Sequence, residues 1–187
     1  MNKLIIIFII IGFFSCLDKQ KSEKETQNMN IEKPVSELTD FKLIQNFEEN
    51  KGKFKTDTIE LNDHSTDGGE LKIFRNNKSD YIVLDFWLYG ETGRLNYTYW
   101  TDKNFDFKIV KKLNYEYDKP YYMDGFKTDS TIYYLSYSDS KNKLFNINKS
   151  EITNEKLIDS TKMELESFFN DVTKGIDIIK QNMSIKN

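Results

Sequence analysis

Apolar and polar residues alternate through much of the middle of the chain, and this period of two predicts β-strands. The clearest run is DYIVLDFWLYG, in which four apolar side chains share one predicted face: Ile82, Leu84, Phe86 and Leu88. Six further runs have the same character: FKTDTIELN, GELKIFRNN, RLNYTYWTD, FDFKIVKKLNYEY, STIYYLSYS and KLFNIN. In the fourth of these, Phe105, Phe107 and Ile109 are predicted to lie on one side of the strand. Short loops join neighbouring runs, which favours antiparallel pairing and predicts a meander of about seven strands.

Two segments show helical spacing instead. SELTDFKLIQNF places apolar residues at three-residue steps and predicts a short N-terminal helix over 36–47. After Thr153, apolar residues recur at three- and four-residue steps and predict one long helix. They are Leu157, Leu165, Phe168, Phe169, Val172, Ile176 and Ile179. A helix broken near Ser160 is the alternative. The expected fold is therefore α+β, with an antiparallel sheet covered on one face by the C-terminal helix. The N-terminal helix is a second candidate cover, and a closed, barrel-like sheet is the alternative.

The start of the chain has the pattern of an export signal. Lys3 precedes an unbroken apolar run, LIIIFIIIGFF, from Leu4 to Phe14. About twenty apolar residues are needed to cross a bilayer as a helix, whereas signal-peptide cores take roughly seven to fifteen. Residues 1–15 are therefore predicted to be a cleaved signal peptide.

The only cysteine, Cys16, comes directly after this run and Ser15, an arrangement that resembles a bacterial lipobox. The resemblance implies that Cys16 becomes the acylated first residue of a lipoprotein, although Phe13 and Phe14 depart from the usual motif. The alternatives are a free thiol in an ordinary secretory signal and the end of an uncleaved anchor. Residues 16–33 are polar and charged and predict a flexible tether, which leaves 34–187 as a single domain.

Charge and composition limit the partners of that domain. The chain has 27 Lys and Arg against 30 Asp and Glu, a formal net charge of −3, and the two signs are interleaved. This balance argues against a nucleic-acid partner. With its one cysteine committed to lipid, the domain has no disulfide and depends on an apolar core.

One loop has part of a calcium-binding pattern. NDHSTDGGEL places Asp63, Ser65 and Asp67 at alternate positions before Gly68, as an EF-hand loop begins. The twelfth position from Asp63, where a bidentate carboxylate is needed, is Phe74. We therefore expect a polar turn here, with at most a weak and incomplete metal site, and no cofactor.

No catalytic signature stands out. A carboxylate pair for glycoside hydrolysis could be drawn from Asp85, Glu91 and Glu116, but a chain this rich in acids offers such pairs by chance. GETG, from Gly90 to Gly93, lacks the lysine of a phosphate-binding loop and is typical of a hairpin turn. An enzyme is the less favoured expectation.

Aromatic residues concentrate on the predicted strands. Five of them form the candidate binding face: Trp87, Tyr89, Tyr97, Tyr99 and Trp100. Such rings bind sugars or proteins with a large contact area and little loss of entropy. The alternative is that these residue types simply suit a half-buried strand.

The succession DGGEL, GETGR, YTYW and FDF resembles uncharacterised small lipoproteins of Bacteroidota over roughly 57–137. The resemblance implies an antiparallel sheet and an envelope location, and it carries no functional residues. We expect a lipid-anchored envelope protein, in the outer membrane rather than the inner, that acts as a binding or protective module of the immunity or inhibitor type. Its expected partner is an envelope protein or glycan. A carboxylate-dependent hydrolase of envelope glycans and a structural part of an envelope assembly are the alternatives.

Overall fold

Eight antiparallel strands form one sheet in the order in which they occur along the chain. The computed structural model describes residues 35–138 and 141–176. The strands are β1 (Lys55–Glu60), β2 (Gly69–Arg75), β3 (Tyr81–Gly90), β4 (Gly93–Asp102), β5 (Phe107–Tyr117), β6 (Thr128–Ser136), β7 (Lys143–Asn146) and β8 (Glu151–Ile152). β1 and β8 form the two edges. The predicted α+β meander is confirmed, with β8 as an additional strand too short to show a period.

Two helices flank the sheet in sequence. α1 spans Val35–Asn50 and continues into a short 3-10 turn, and α2 spans Glu155–Thr173. The side chain of Asn154 caps α2 by accepting a hydrogen bond from the backbone N–H of Leu157, which satisfies one of the unpaired donors of the first turn. α2 runs without a break through Ser160.

α2 packs on one face of the sheet, which we call the α2 face. Its buried strand residues are Leu71, Ile73, Ile82, Leu84, Phe86, Leu88, Tyr97, Tyr99, Val110, Leu135 and Leu144. From the helix, Leu165, Phe169 and Val172 complete this cluster, and Ile176 joins it just beyond the helix end. The predicted apolar face of β3 belongs to this cluster in full. Ile179 lies outside the described residues.

α1 packs on the opposite face, which we call the α1 face. Phe47 of α1 lies in a second cluster with Phe74, Val83 and Trp100, whose positions alternate with those of the α2 face. The Tyr81 hydroxyl donates to Asn46 Oδ1 at 2.7 Å and ties the helix to β3. Helices on both faces explain why β3 is buried at every position from 81 to 84.

A β-bulge changes the facing of β5 near its start. Trp100 pairs with Ile109 and Thr101 pairs with Phe107, so Lys108 is left without a partner on β4. Phe107 therefore packs with Tyr99 on the α2 face, while Ile109 belongs to the cluster under α1. The prediction that Phe107 and Ile109 share a side was wrong, because the extra residue reverses the alternation between them.

The predicted signal peptide (1–15), Cys16 and the tether (16–33) lie outside the described residues. The described part of the chain belongs to one compact unit. Within it, no helix combines the length and the apolar character needed to cross a membrane.

Candidate binding face

The five aromatic residues predicted as a binding face do not share one face. Tyr97 and Tyr99 are buried beneath α2, where their hydroxyls donate to Glu164 Oε1 at 2.6 Å and to the Leu165 carbonyl at 2.8 Å. Trp100 is buried beneath α1. Only Trp87 and Tyr89 remain half-buried on the α1 face, further along β3 than the part that α1 covers. Alternation along the strands separates the rings, since odd positions of β3 share a face with even positions of β4.

Around these two rings lies what we call the open face, the part of the α1 face with no described helix over it. At its surface are Trp87, Tyr89, Arg94 and Tyr115, and the buried residues Asp85, Asn96 and Thr98 belong to the same face. Register sets its neighbours: Trp87 lies opposite Asn96, and Arg94 lies between Tyr89 and Tyr115.

A buried carboxylate organises the centre of the open face. Asp85 is only 9% exposed and accepts hydrogen bonds from Asn96 Nδ2 at 2.6 Å and Thr98 Oγ1 at 2.9 Å. The indole N–H of Trp87 donates to the other oxygen of Asp85 at 3.3 Å. Charge-assisted hydrogen bonds satisfy this carboxylate, and they also fix the orientation of the Trp87 ring.

The Tyr89 ring is held in a similar way. Its hydroxyl donates to Glu70 Oε1 at 3.1 Å, and Lys72 Nζ donates to the same oxygen at 2.7 Å. Burial, followed by the hydrogen bond and the charge of Glu70, raises the pKa of Tyr89 above its ordinary value. The Tyr89 and Trp87 rings are near-parallel, at 13° with centroids 6.5 Å apart. Both rings are therefore oriented before any partner arrives.

Arg94 lies against the aromatic rings and not against an acid. Its guanidinium carbon is 4.3 Å from the centroid of Tyr115 and 5.5 Å from that of Trp87. Within the described residues its side chain has no hydrogen-bond acceptor and no carboxylate partner. Stacking of this kind holds the guanidinium by its faces and leaves the N–H edge for another group. A lone arginine after a hairpin turn gave no signal in the sequence.

A cavity of about 350 Å³ opens at the end of the open face. Its lining residues are Asp67, Tyr89, Gly90, Gly93, Arg94, Tyr117 and Tyr121. A neighbouring cavity of about 510 Å³ shares Tyr89 and Arg94 with it. Gly93 is required where β4 begins, because a Cβ atom there would lie 2.4 Å from the Tyr115 carbonyl oxygen.

The loop with the calcium-like pattern packs against the end of β3. The Ser65 hydroxyl and the Asp67 backbone N–H both donate to the Tyr89 carbonyl. Phe74, at the twelfth position of the pattern, is buried in the sheet. Within 35–138 and 141–176, no group of three or more His, Cys, Asp and Glu side chains is placed to hold a metal ion.

The acids considered for hydrolysis are dispersed. Asp85 lies on the open face, while Glu116 shares the α2 face with Lys112, whose ammonium group contacts Glu164 of α2 at 2.6 Å. Glu91 is exposed in the turn after β3. Asp85 and Glu116 therefore project from opposite faces and cannot act on one bond.

Comparison with protein-family models, with curated proteins and with solved structures finds no match to this chain. The resemblance to small Bacteroidota lipoproteins therefore stays a prediction from the sequence.

Proposed function

We propose that this chain is a lipid-anchored protein of the bacterial envelope that binds an envelope glycan or protein through its open face, as a binding or protective module without catalysis. The observation that carries the proposal is the arrangement of Trp87 and Tyr89. Each ring is half-buried, and each donates a hydrogen bond to a carboxylate that fixes its orientation. Arg94 lies beside Trp87, and its N–H edge has no partner among the described residues.

These three residue types are the ones that dominate binding energy at interfaces. Ordering a flexible side chain on binding costs about 0.5–1.5 kcal/mol, and rings that are already held avoid most of that cost. An exposed ring that served only to cover the sheet would have no need of a buried carboxylate to orient it. The Asp85 network, which fixes Trp87 from below, therefore supports a recognition role.

The N-terminal sequence supports the location. Each buried methylene of an acyl chain contributes about 0.8 kcal/mol to membrane binding, so acylation of Cys16 with more than one chain would anchor the protein firmly. The residues from Leu17 to Lys33 would reach roughly 50 Å if extended, at about 3.3 Å per residue. This reach would let the domain meet partners well away from the lipid headgroups.

The test is binding of the full-length chain, purified in detergent, to two immobilised fractions: purified cell-wall glycan and solubilised envelope protein. We expect saturable binding to one fraction, weakened at least tenfold by Trp87→Ala, as for a residue at the centre of an interface. Tyr122→Ala is the matched control, because Tyr122 is an aromatic residue 65% exposed in the loop after β5. Equal binding by both variants, or no binding by folded protein, would refute the proposal.

A further inference from the structure

Two opposite charges line the cavity at the end of the open face without pairing. Asp67 and Arg94 both contribute to its wall. Within the described residues, neither side chain has a hydrogen bond or an ion pair, with each other or with any other group. Two opposite charges that line one cavity and remain unpaired are placed to receive a ligand between them.

Neighbouring residues hold the Arg94 side chain and the Asp67 backbone in position. The Tyr115 and Trp87 rings hold the Arg94 guanidinium by its faces. The backbone N–H of Asp67 donates to the Tyr89 carbonyl at 3.2 Å, and Gly68, with φ of +76°, shapes the turn that follows. The Arg94 guanidinium and the backbone at Asp67 are therefore held in place without a ligand.

Apart from two glycines, the other residues that line the cavity are aromatic. Tyr89, Tyr117 and Tyr121 line it, and its volume of about 350 Å³ exceeds what one amino-acid side chain needs. Arg94 would attract a simple anion and Asp67 would repel it. A simple cation would be attracted by Asp67 and repelled by Arg94. A ligand with both charges satisfies both groups, so the pair discriminates against singly charged molecules.

We propose that this cavity binds an amino acid whose ammonium and carboxylate groups are both free, either as a free molecule with an apolar side chain or attached to a larger envelope component through its side chain. Arg94 receives the carboxylate through paired N–H donors, and Asp67 accepts from the ammonium group. The tyrosines contact the apolar side chain. This inference rests on the proposed function and names the chemical group that the same face recognises.

The experiment uses the full-length chain in detergent and three probes: phenylalanine, phenylalaninamide, which lacks the carboxylate, and N-acetylphenylalanine, which lacks the ammonium group. Affinities are measured by calorimetry at about pH 6, where α-amino groups are protonated. We expect phenylalanine to bind at least tenfold more tightly than either analogue.

Two variants assign the charges. Asp67→Asn should remove the preference over N-acetylphenylalanine and keep the preference over phenylalaninamide, and Arg94→Gln should do the reverse. Glu91→Gln, an exposed acid in the adjacent turn, should change neither preference.

Preferences that are the same in all variants, or no probe binding at about 10 mM to folded protein, would overturn the inference. If Trp87→Ala still weakens envelope binding in that case, the proposed function stands and only the amino-acid site is lost. If Trp87→Ala has no effect on envelope binding, the proposed function itself has failed.

Discussion

Phe169→Ala tests how the sheet is closed on the α2 face. Phe169 is 2% exposed, and its ring centroid lies 4.8 Å from that of Phe107 and 5.2 Å from that of Tyr99. Replacing a buried phenylalanine with alanine removes its transfer energy and leaves a cavity, which together cost about 3–5 kcal/mol. The total stability of a domain is typically only about 5–15 kcal/mol. This one change should therefore remove a large share of it.

Urea unfolding followed by circular dichroism measures the loss, and a thermal scan should show a decrease in Tm of about 10 °C. Met163→Ala on the same helix is the control. Met163 is 67% exposed, so its replacement should change the unfolding free energy by less than about 0.5 kcal/mol. If Phe169→Ala costs no more than Met163→Ala, α2 does not pack on the sheet as described.

Three further predictions follow from the buried polar groups and from the anchor. Asp85→Ala should lower the free energy of unfolding in urea by about 2–3 kcal/mol, because the buried donors of Asn96 and Thr98 lose their acceptor. The control Asp80→Ala changes an exposed acid and should be near neutral. Burial, and then the charge of Glu166, raises the pKa of Tyr137 above 10.0, so the folded state retains a proton that the unfolded chain loses. Stability is then full below pH 10.0 and falls above it by about 1.4 kcal/mol per pH unit for this tyrosine; Tyr137→Phe should make the measured decline shallower by that amount, and an unchanged slope would contradict it. Cys16→Ser should move the protein from the membrane to the soluble fraction of the native host, and unchanged fractionation and gel mobility would rule out lipidation.

The alternation of β3 was enough to predict its two faces, because its four apolar residues on the α2 face all belong to the one cluster that α2 completes. Alternation failed where the chain gains a residue. The bulge at Lys108 leaves no mark in the pattern FDFKIV, yet it moves Ile109 to the α1 face. The three-residue spacing of apolar residues predicts α1 without showing which side of the sheet it covers, since both sides of β3 are apolar near Val83.

The candidate site depended more heavily on register. Trp87 and Tyr89 stood out as aromatic residues, but so did Tyr97 and Tyr99, which belong to the core. Only the register of β3 against β4 shows that Trp87 and Tyr89 lie on the opposite face from Tyr97 and Tyr99. The role of Arg94 could not be predicted from the sequence. It lies beside Tyr115 only because β4 pairs with β5, and the two residues are 21 positions apart in the chain. In the sequence Asp67 is part of a metal-like pattern, and nothing there indicates the cavity that it lines.

Photocrosslinking in the native host tests the central claim, that the open face contacts an envelope component, most directly. A photoreactive residue would replace Lys72, which lies opposite Asp85 at the border of the open face, and in a second variant Met163 on the exposed side of α2. The Lys72 ion pair with Glu70 is partly exposed, so its loss should leave the fold intact. We predict a discrete crosslinked product from position 72, lost on Trp87→Ala, and none from position 163. Equal products from both positions, or none from position 72 in folded protein, would contradict the account.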